Sequence, residues 1–151
     1  MAMKIVILED NQERKAAMLD CLEDKFHQFE KRFFDHPAEM IDFLKDHLRE
    51  TIAISLDHDL ELIPTSEGRV IDPGCGREVA DFLAQNIPSC PVIIHTSNSH
   101  AALAMEMVLR EANWKTYRVS PCGDLAWIAG PWIRTLRQAV VGSVPRKKHV
   151  L

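Results

Sequence analysis

The stretch Met3-Lys-Ile-Val-Ile-Leu-Glu-Asp-Asn11 decides the fold of this chain. Its first six residues are almost continuously apolar, which is typical of a short strand buried on both faces of a parallel sheet. The polar triplet Glu9-Asp10-Asn11 ends that strand. Apolar residues from Met18 to Phe26 then recur at three- and four-residue spacing, which indicates an amphipathic helix. The segment therefore predicts a buried strand, a polar turn and a helix.

Strand and helix patterns alternate along the rest of the chain. The patterns predict further strands at 29–34, 51–56, 91–95 and 117–119, and further helices from Pro37, from Gly76 through Ile87, at 101–111 and at 125–140. Residues 60–73, which contain Pro64, Gly68 and Pro73, are predicted to form a long loop. This alternation predicts an α/β fold with a doubly wound, five-stranded parallel sheet, and we take 2-1-3-4-5 as its strand order. We assign residues 1–142 to that domain and residues 143–151 to a basic C-terminal tail.

The composition excludes several classes of protein. The 151 residues include 18 lysines and arginines against 22 acidic residues, and this negative balance disfavours binding to duplex DNA. The four cysteines are widely spaced without a Cys-x-x-Cys pair, which argues against a structural zinc site and against a disulfide framework. No apolar run is long enough to span a membrane, so we expect a cytoplasmic protein.

Acidic side chains follow two of the predicted strands, at the sheet edge where doubly wound folds bind ligands. Glu9 and Asp10 follow strand one, and Asp57 and Asp59 follow strand three. If these strands are neighbours, the carboxylates converge and repel one another unless a cation or a proton intervenes. Oxygen ligands of this kind suit Mg²⁺ or Mn²⁺. The alternative is that these acids face solvent or cap the helices that follow.

Three segments resemble the receiver domain of two-component response regulators. They are Lys4-Ile-Val-Ile-Leu-Glu-Asp-Asn11, Ile54-Ser-Leu-Asp57 and Val92-Ile-Ile-His-Thr96, and the similarity extends from about residue 3 to about residue 140. The resemblance implies a flavodoxin-like fold with an acidic pair at Glu9 and Asp10. It also implies a phosphoacceptor at Asp57 and a residue that senses the phosphoryl group at Thr96.

The chain departs from the receiver pattern after strand five. Receivers carry a lysine before a proline there, whereas this chain has Val119-Ser120-Pro121. Loss of the lysine puts ordinary phosphorelay signalling in doubt. Arg118 lies two residues before Ser120, on the same face of an extended strand, and is a candidate replacement for that cation. A surface role for Arg118 is the alternative.

Further motifs are similar to an offshoot of the receivers, the predicted cyclic-phosphate-processing receiver family. They are Leu56-Asp-His-Asp-Leu60, Asp72-Pro-Gly-Cys-Gly-Arg77 and His95-Thr-Ser-Asn98. This resemblance implies a metal-dependent site that acts on the cyclic phosphate ends of nucleotides or RNA. The residues expected in that site are Glu9, Asp10, Asp57 and Asp59 for the metal, Asp57, His58 and His95 for catalysis, and Thr96, Asn98, Gly74, Gly76, Arg77 and Arg118 for phosphate.

Several alternatives remain open from the sequence. Asp57 can instead accept a phosphoryl group in a single-domain response regulator, or the fold can serve only to bind a partner protein. Because side chains alternate along a strand, His95 and Thr96 cannot both point the same way in regular geometry. The Gly74-Cys-Gly76 run can cradle a phosphate at a helix N-terminus or simply form a turn.

Overall fold

The structure, a computed structural model, describes residues 2–143 as seven strands, five helices and two shorter helical turns. The strands are β1 (Lys4–Leu8), β2 (Glu30–Phe34), β3 (Thr51–Leu56), β4 (Ile63–Pro64), β5 (Val70–Ile71), β6 (Val92–Ile94) and β7 (Thr116–Arg118). The helices are α1 (Gln12–Lys25), α2 (Pro37–His47), α3 (Gly76–Ala84), α4 (Ser99–Glu111) and α5 (Ile133–Ser143). A 3₁₀ turn at Leu48–Glu50 precedes β3, and a π-helical turn at Ile128–Trp132 precedes α5.

Five of the strands form one parallel sheet in the order β2-β1-β3-β6-β7. This order confirms the doubly wound, flavodoxin-like fold predicted from the sequence. Every residue of β1 is buried, as its continuous apolar run predicts for a central parallel strand.

The sheet separates two hydrophobic cores. One core packs α2, α3 and α4 against one face and contains Leu8, Met40 and Trp114. The other packs α1, the π-helical turn and α5 against the opposite face and contains Met18 and the indoles of Trp127 and Trp132. A single strand supplies both cores because successive side chains point to opposite faces.

The predicted 60–73 loop contains a β-hairpin. β4 and β5 pair antiparallel, with Ile63 opposite Ile71 and Pro64 opposite Val70. The turn closes through a hydrogen bond from the Thr65 amide to the Arg69 carbonyl at 2.7 Å, and Gly68 takes φ +77°. Each strand has only two residues, too few for the alternating pattern that identifies strands in a sequence.

Two helix predictions were wrong in extent. α3 ends at Ala84 instead of reaching Ile87, which is 87% exposed and is followed by Pro88. The predicted 125–140 helix is interrupted at Gly130, whose φ of −109° and ψ of −106° are not helical, and Pro131 there lacks an amide donor. Of the predicted tail, residues 144–151 lie outside the described part of the chain. No helix within residues 2–143 is both long and apolar enough to cross a membrane.

Candidate metal and phosphate site

Glu9, Asp57 and His95 lie together because the strands that carry them are in register. Leu8 pairs with Leu56 and Leu56 pairs with Ile94, so the next residue of each strand lies at the same carboxyl edge. Side-chain alternation turns all three toward the α1 and α5 side of the sheet. The residues that precede them by two positions on that side are Ile7, Ser55 and Ile93.

The three side chains form a compact buried cluster, which we call the strand-end cluster. One ligand atom from each lies within 4.8 Å of the others. Glu9 and His95 have no exposed surface, and Asp57 is 4% exposed. Two carboxylates and an imidazole at this depth need compensation by hydrogen bonds or by a cation.

The carboxylate of Glu9 has one satisfied oxygen and one unsatisfied oxygen. Oε2 accepts hydrogen bonds from the amides of Asp10 and Asn11, both at 3.0 Å. Oε1 lies 3.3 Å from His95 Nε2 and 3.7 Å from Arg14 Nη1 but has no aligned hydrogen-bond donor within residues 2–143. Burial raises the pKa of Glu9, but the opposing effects of His95, the Asn11 amide and Arg14 are larger and hold it below its usual value.

The Asp57 carboxylate is less well compensated. Its Oδ1 accepts a hydrogen bond from the His58 amide at 2.7 Å, and its Oδ2 lies 3.9 Å from Arg14 Nη1. Burial is the main reason that the pKa of Asp57 rises from 3.8 to about 6, and the neighbouring Glu9 charge raises it further. His95, the His58 amide and Arg14 offset only part of this increase. The ionised form of Asp57 therefore lacks a sufficient counter-charge.

The imidazole of His95 is held from the core side. Its Nδ1 lies 2.6 Å from Ser55 Oγ, which also accepts a hydrogen bond from Trp132 Nε1 at 3.0 Å. The Trp127 ring stacks beside it, with centroids 6.0 Å apart and planes inclined by 27°. Its Nε2 has no hydrogen-bond partner in the described part of the chain. One edge of the ring is thus fixed, while the other faces the cluster unsatisfied.

Arg14 was not predicted as a site residue, yet its guanidinium lies within 4 Å of both acids of the cluster. Arg14 lies in the first turn of α1, where its amide donates to the side chain of the N-cap residue Asn11 at 2.9 Å. Its guanidinium lies 5.4 Å from the centre of the Trp127 ring, and the side chain is 30% exposed. Arg14 therefore connects the buried acids with solvent. The only feature of the sequence that could have indicated Arg14 was its position three residues after Asn11. Strand alternation places Ser55 on the same face as Asp57. Nothing in the sequence indicated a role for Trp132.

Two predicted metal ligands lie outside the strand-end cluster. Asp10 accepts a hydrogen bond from the Glu61 amide at 2.5 Å, so its carboxylate holds the segment that leads into the β4–β5 hairpin. Asp59 contacts His58 Nδ1 at 2.9 Å and accepts from Asn98 Nδ2 at 3.3 Å. Asp59 therefore orients His58 in this structure.

The predicted phosphate-binding residues after β6 act as caps of α4 in this conformation. Thr96 Oγ1 accepts a hydrogen bond from the Asn98 amide at 3.2 Å. Asn98 is the N-cap of α4, and its Oδ1 accepts a hydrogen bond from the Ala101 amide at 3.0 Å. Both side chains lie beside the site without an atom in the strand-end cluster.

The amides of the Gly74-Cys-Gly76 run already have acceptors. They donate to Asp72 Oδ1 at 2.9 Å, to Glu78 Oε2 at 3.0 Å and to the His58 carbonyl at 3.0 Å. A phosphate can bind there only if it replaces these hydrogen bonds. Gly76 has a different role, because a Cβ at this position would lie 1.9 Å from the Asp57 carbonyl oxygen. The glycine lets α3 pack directly against the backbone of the Asp57 strand end.

The other predicted arginines are engaged with acids outside the cluster. Arg77 Nε donates to Asp81 Oδ1 at 2.8 Å, one turn along α3. Arg118 lies 3.9 Å from Glu106 on α4. Neither is brought next to Glu9 or Asp57, whereas Arg14 lies within 4 Å of both.

A parallel sheet in this order, with buried acids after β1 and β3, defines a receiver-like domain. The sequence profile of the cyclic-phosphate processing receiver domain matches residues 4–111, and the chain belongs to this family. A search of curated proteins gave no match.

Solved structures of response regulators share the fold. The Mn²⁺-bound form of the response regulator Rcp1 has a TM-score of 0.67 at 15% identity, covering 95% of this chain and 97% of that one. The phosphorylated cyanobacterial phytochrome response regulator RcpA has a TM-score of 0.66 at 13% identity, covering 96% and 98%. A receiver domain from Rhodospirillum rubrum has a TM-score of 0.65 at 15% identity, covering 95% and 96%. At such low identity, these similarities establish the fold.

Proposed function

We propose that this protein is a divalent-metal-dependent phosphohydrolase that opens a cyclic phosphate at the end of a nucleotide or an RNA. The observation that carries the proposal is the strand-end cluster, in which Glu9, Asp57 and His95 meet beneath a partly exposed arginine. The family to which the chain belongs supports the choice of a cyclic phosphate as the ligand.

The donor atoms of the cluster fit a divalent cation. Glu9 Oε1 is buried without a hydrogen-bond donor in the described residues, and burial of Asp57 leaves its ionised carboxylate poorly compensated. These two carboxylates would hold Mg²⁺ or Mn²⁺, which would supply positive charge to stabilise the developing charge on phosphoryl oxygens. The Mn²⁺ in the similar Rcp1 structure supports this choice of cation.

Arg14 is the positively charged side chain that binds the phosphate in this proposal. Its guanidinium lies within 4 Å of both buried acids while the side chain remains 30% exposed, so a ligand in solvent can reach it. A guanidinium can bind two phosphate oxygens at once. In this role Arg14 replaces the lysine that receivers carry where this chain has Ser120.

His58 is favoured for proton transfer because it is closer to solvent than His95. The His58 side chain is 20% exposed, whereas His95 has no exposed surface. Asp59 holds His58 Nδ1, and Asn98 in turn holds Asp59, which leaves His58 Nε2 to accept a proton. The oxygen of a water attacks phosphorus and one ester P–O bond breaks. The water gives one proton to His58, and His58 then passes this proton through solvent to the leaving oxygen, so the products are a phosphomonoester and a free hydroxyl group.

The test is hydrolysis of a 2′,3′-cyclic nucleotide by the full chain in the presence of Mg²⁺ or Mn²⁺. Arg14→Gln should lower kcat/KM by about 10- to 100-fold, since a charged hydrogen bond to phosphate contributes on the order of 1.5–3 kcal/mol. Arg110→Gln is the matched control, because Arg110 pairs with Glu106 and Thr116, away from the cluster. The control should retain the activity of the original protein.

Other outcomes would identify the alternative functions. Tight binding of beryllofluoride with Mg²⁺, together with phosphoryl transfer to Asp57 and no turnover, would establish a response regulator. A protein that neither turns over a cyclic nucleotide nor binds beryllofluoride would be an interaction module. Either result would overturn the proposed phosphohydrolase.

A further inference from the structure

His95 is fully buried at the end of an apolar strand, where burying an imidazole costs more free energy than burying the aliphatic side chain that the strand pattern favours. It follows Val92-Ile-Ile94, all of them buried, and has no exposed surface itself. Polar groups at such depth are retained where they are paired or where they bind an ion. Only one of its two nitrogens has a partner in the described structure, because Nε2 is unsatisfied.

The unsatisfied nitrogen faces an unsatisfied oxygen without forming a hydrogen bond to it. Nε2 and Glu9 Oε1 lie 3.3 Å apart, but they are not aligned as donor and acceptor. With the hydrogen on Nε2, both atoms would stay buried and unsatisfied. With the hydrogen on Nδ1, the Nε2 lone pair is free and Nδ1 donates to Ser55 Oγ. The contact distance is short enough for both atoms to bind one cation together.

Ser55 and Trp132 support that second arrangement from the core. Ser55 Oγ has two lone pairs, one of which accepts from Trp132 Nε1 at 3.0 Å. The other lies 2.6 Å from His95 Nδ1. Metal-binding histidines usually donate their second ring N–H to such an acceptor, which fixes the tautomer and the ring orientation.

We propose that His95 Nε2 is the third protein ligand of the metal, beside the carboxylates of Glu9 and Asp57, and that this nitrogen selects a transition-metal dication such as Mn²⁺ over Mg²⁺. The inference rests on the proposed metal-dependent function and narrows the identity of its cation. Imidazole nitrogen suits transition metals, whereas Mg²⁺ prefers oxygen ligands and keeps much of its water. Asp10 and Asp59 are engaged elsewhere and are not ligands in this arrangement.

The first experiment uses the full chain, stripped of metal by a chelator and then titrated with Mn²⁺ alone. Electron spin-echo envelope modulation of bound Mn²⁺ should show coupling to a ¹⁴N nucleus. When the histidines are labelled with ¹⁵N, this signal should be replaced by coupling to ¹⁵N. This readout needs no variant and no substrate. Bound Mn²⁺ without nitrogen coupling would overturn the proposal.

The second experiment measures selectivity in the variant His95→Asn. An asparagine amide can still contact Ser55 in place of Nδ1 but offers no atom at the position of Nε2. We expect Mn²⁺ affinity to fall at least about tenfold, the nitrogen coupling to disappear and Mg²⁺ affinity to change little. An unchanged ratio of Mn²⁺ to Mg²⁺ affinity would also overturn the proposal.

His36→Asn is the matched control, because His36 belongs to another group that could hold a metal. His36 lies with Asp35 and Glu39 at the exposed start of α2, and His36 Nδ1 is already 2.7 Å from Asp35 Oδ1. We expect this variant to retain both the nitrogen coupling and the Mn²⁺ affinity. Loss of the coupling in His36→Asn would assign the nitrogen to that surface group and overturn the proposal for His95.

The metal experiment and the hydrolysis assay fail independently. Nitrogen-coupled Mn²⁺ in a protein that does not hydrolyse cyclic nucleotides would leave the ligand assignment standing and remove the proposed function. Hydrolysis that is equally efficient with Mg²⁺ and Mn²⁺, and unaffected by His95→Asn, would support the proposed function and overturn the assignment of His95 as a ligand.

Discussion

At the scale of single residues, the site depends on burial more than on the number of charges. Asp59 is closer in sequence to Asp57 than Glu9 or His95 is, yet its side chain is 64% exposed and contacts His58 and Asn98. Glu9 and His95 come from other strands and are fully buried. At Asp57, burial disfavours the ionised carboxylate more than His95, the His58 amide and Arg14 favour it.

The first prediction concerns the stability of the metal-free protein. The pKa of Asp57 is about 6 when folded against 3.8 as the ordinary value, so the folded state binds more protons between these two values. Stability should therefore fall as pH rises through this window and stay low above it. Since one pKa unit corresponds to about 1.4 kcal/mol, Asp57→Asn should stabilise the chelator-treated protein at pH 8 by on the order of 1–3 kcal/mol.

Urea unfolding of both proteins at pH 4 and pH 8 measures this difference. The isosteric asparagine can still accept the hydrogen bond from the His58 amide, so packing is matched. The advantage of Asp57→Asn should shrink at pH 4, where Asp57 in the folded protein is protonated. An Asp57→Asn variant less stable than the original protein at pH 8 would contradict the assignment of burial as the dominant effect.

At the scale of elements, α3 fixes the position of the Asp57 strand end. The Gly76 amide donates to the His58 carbonyl at 3.0 Å, and the absence of a Cβ allows contact with the Asp57 carbonyl. The Glu61 amide donates to the Asp10 carboxylate, and this hydrogen bond ties the segment before the hairpin to the end of β1. Contacts from outside the strand-end cluster therefore hold the backbone after β3 and the side chain of Asp10, which follows β1.

The second prediction is that Gly76→Ala disturbs both the fold and the site. The new Cβ would lie 1.9 Å from a backbone oxygen of Asp57, which cannot rotate away, so α3 must shift. We expect a loss of about 1–3 kcal/mol in the free energy of unfolding and weaker Mn²⁺ binding. Calorimetry and Mn²⁺ titration measure the two effects.

Gly123→Ala is the comparison for this prediction. Gly123 has φ +74° but nothing within 4 Å of a built Cβ, so alanine adds backbone strain without a clash. It should cost about 1–2 kcal/mol and leave Mn²⁺ affinity unchanged. Equal Mn²⁺ affinity in both alanine variants would show that α3 does not position Asp57.

Much of this arrangement could be predicted from local patterns. The apolar run of β1 and the alternation of strand and helix patterns predicted the parallel sheet, and the polar residues at strand ends predicted the sheet edge where the candidate site lies. Strand alternation could also have grouped Glu9 with Asp57 and His95 and separated Asp10 from them. The roles of Arg14 and of Asp10 could not be predicted, because they depend on how α1 and the hairpin pack against the sheet.

At the scale of the whole molecule, the sheet separates a layer of helices beside the candidate site from a layer that packs on the opposite face. The strand-end cluster and Arg14 lie on the α1 and α5 side, and the α2, α3 and α4 side is filled by the larger apolar core. The site joins α1, β1, β3 and β6, so a bound cation would connect elements from distant parts of the sequence. Binding at this point should therefore stabilise the fold as a unit.

The third prediction is a metal-dependent increase in Tm. Mn²⁺ at about 100 times its Kd should contribute about 2.7 kcal/mol, which corresponds to an increase of roughly 5–10 °C for a domain of this size. Differential scanning calorimetry with Mn²⁺ and with a chelator measures the increase. Asp57→Asn, although more stable without metal, should show little further increase, and an equal response of both proteins would argue against Asp57 as a ligand.

The two indoles beside the site also give the chain an optical property. Trp127 stacks on His95 and lies under Arg14, and Trp132 is hydrogen-bonded to the serine that holds His95, while Trp114 lies in the opposite core. Paramagnetic ions quench the fluorescence of an indole within a few ångströms much more strongly than that of a distant one. In the unlabelled protein, bound Mn²⁺ should thus quench the emission of Trp127 and Trp132 strongly, while Trp114 serves as an internal reference.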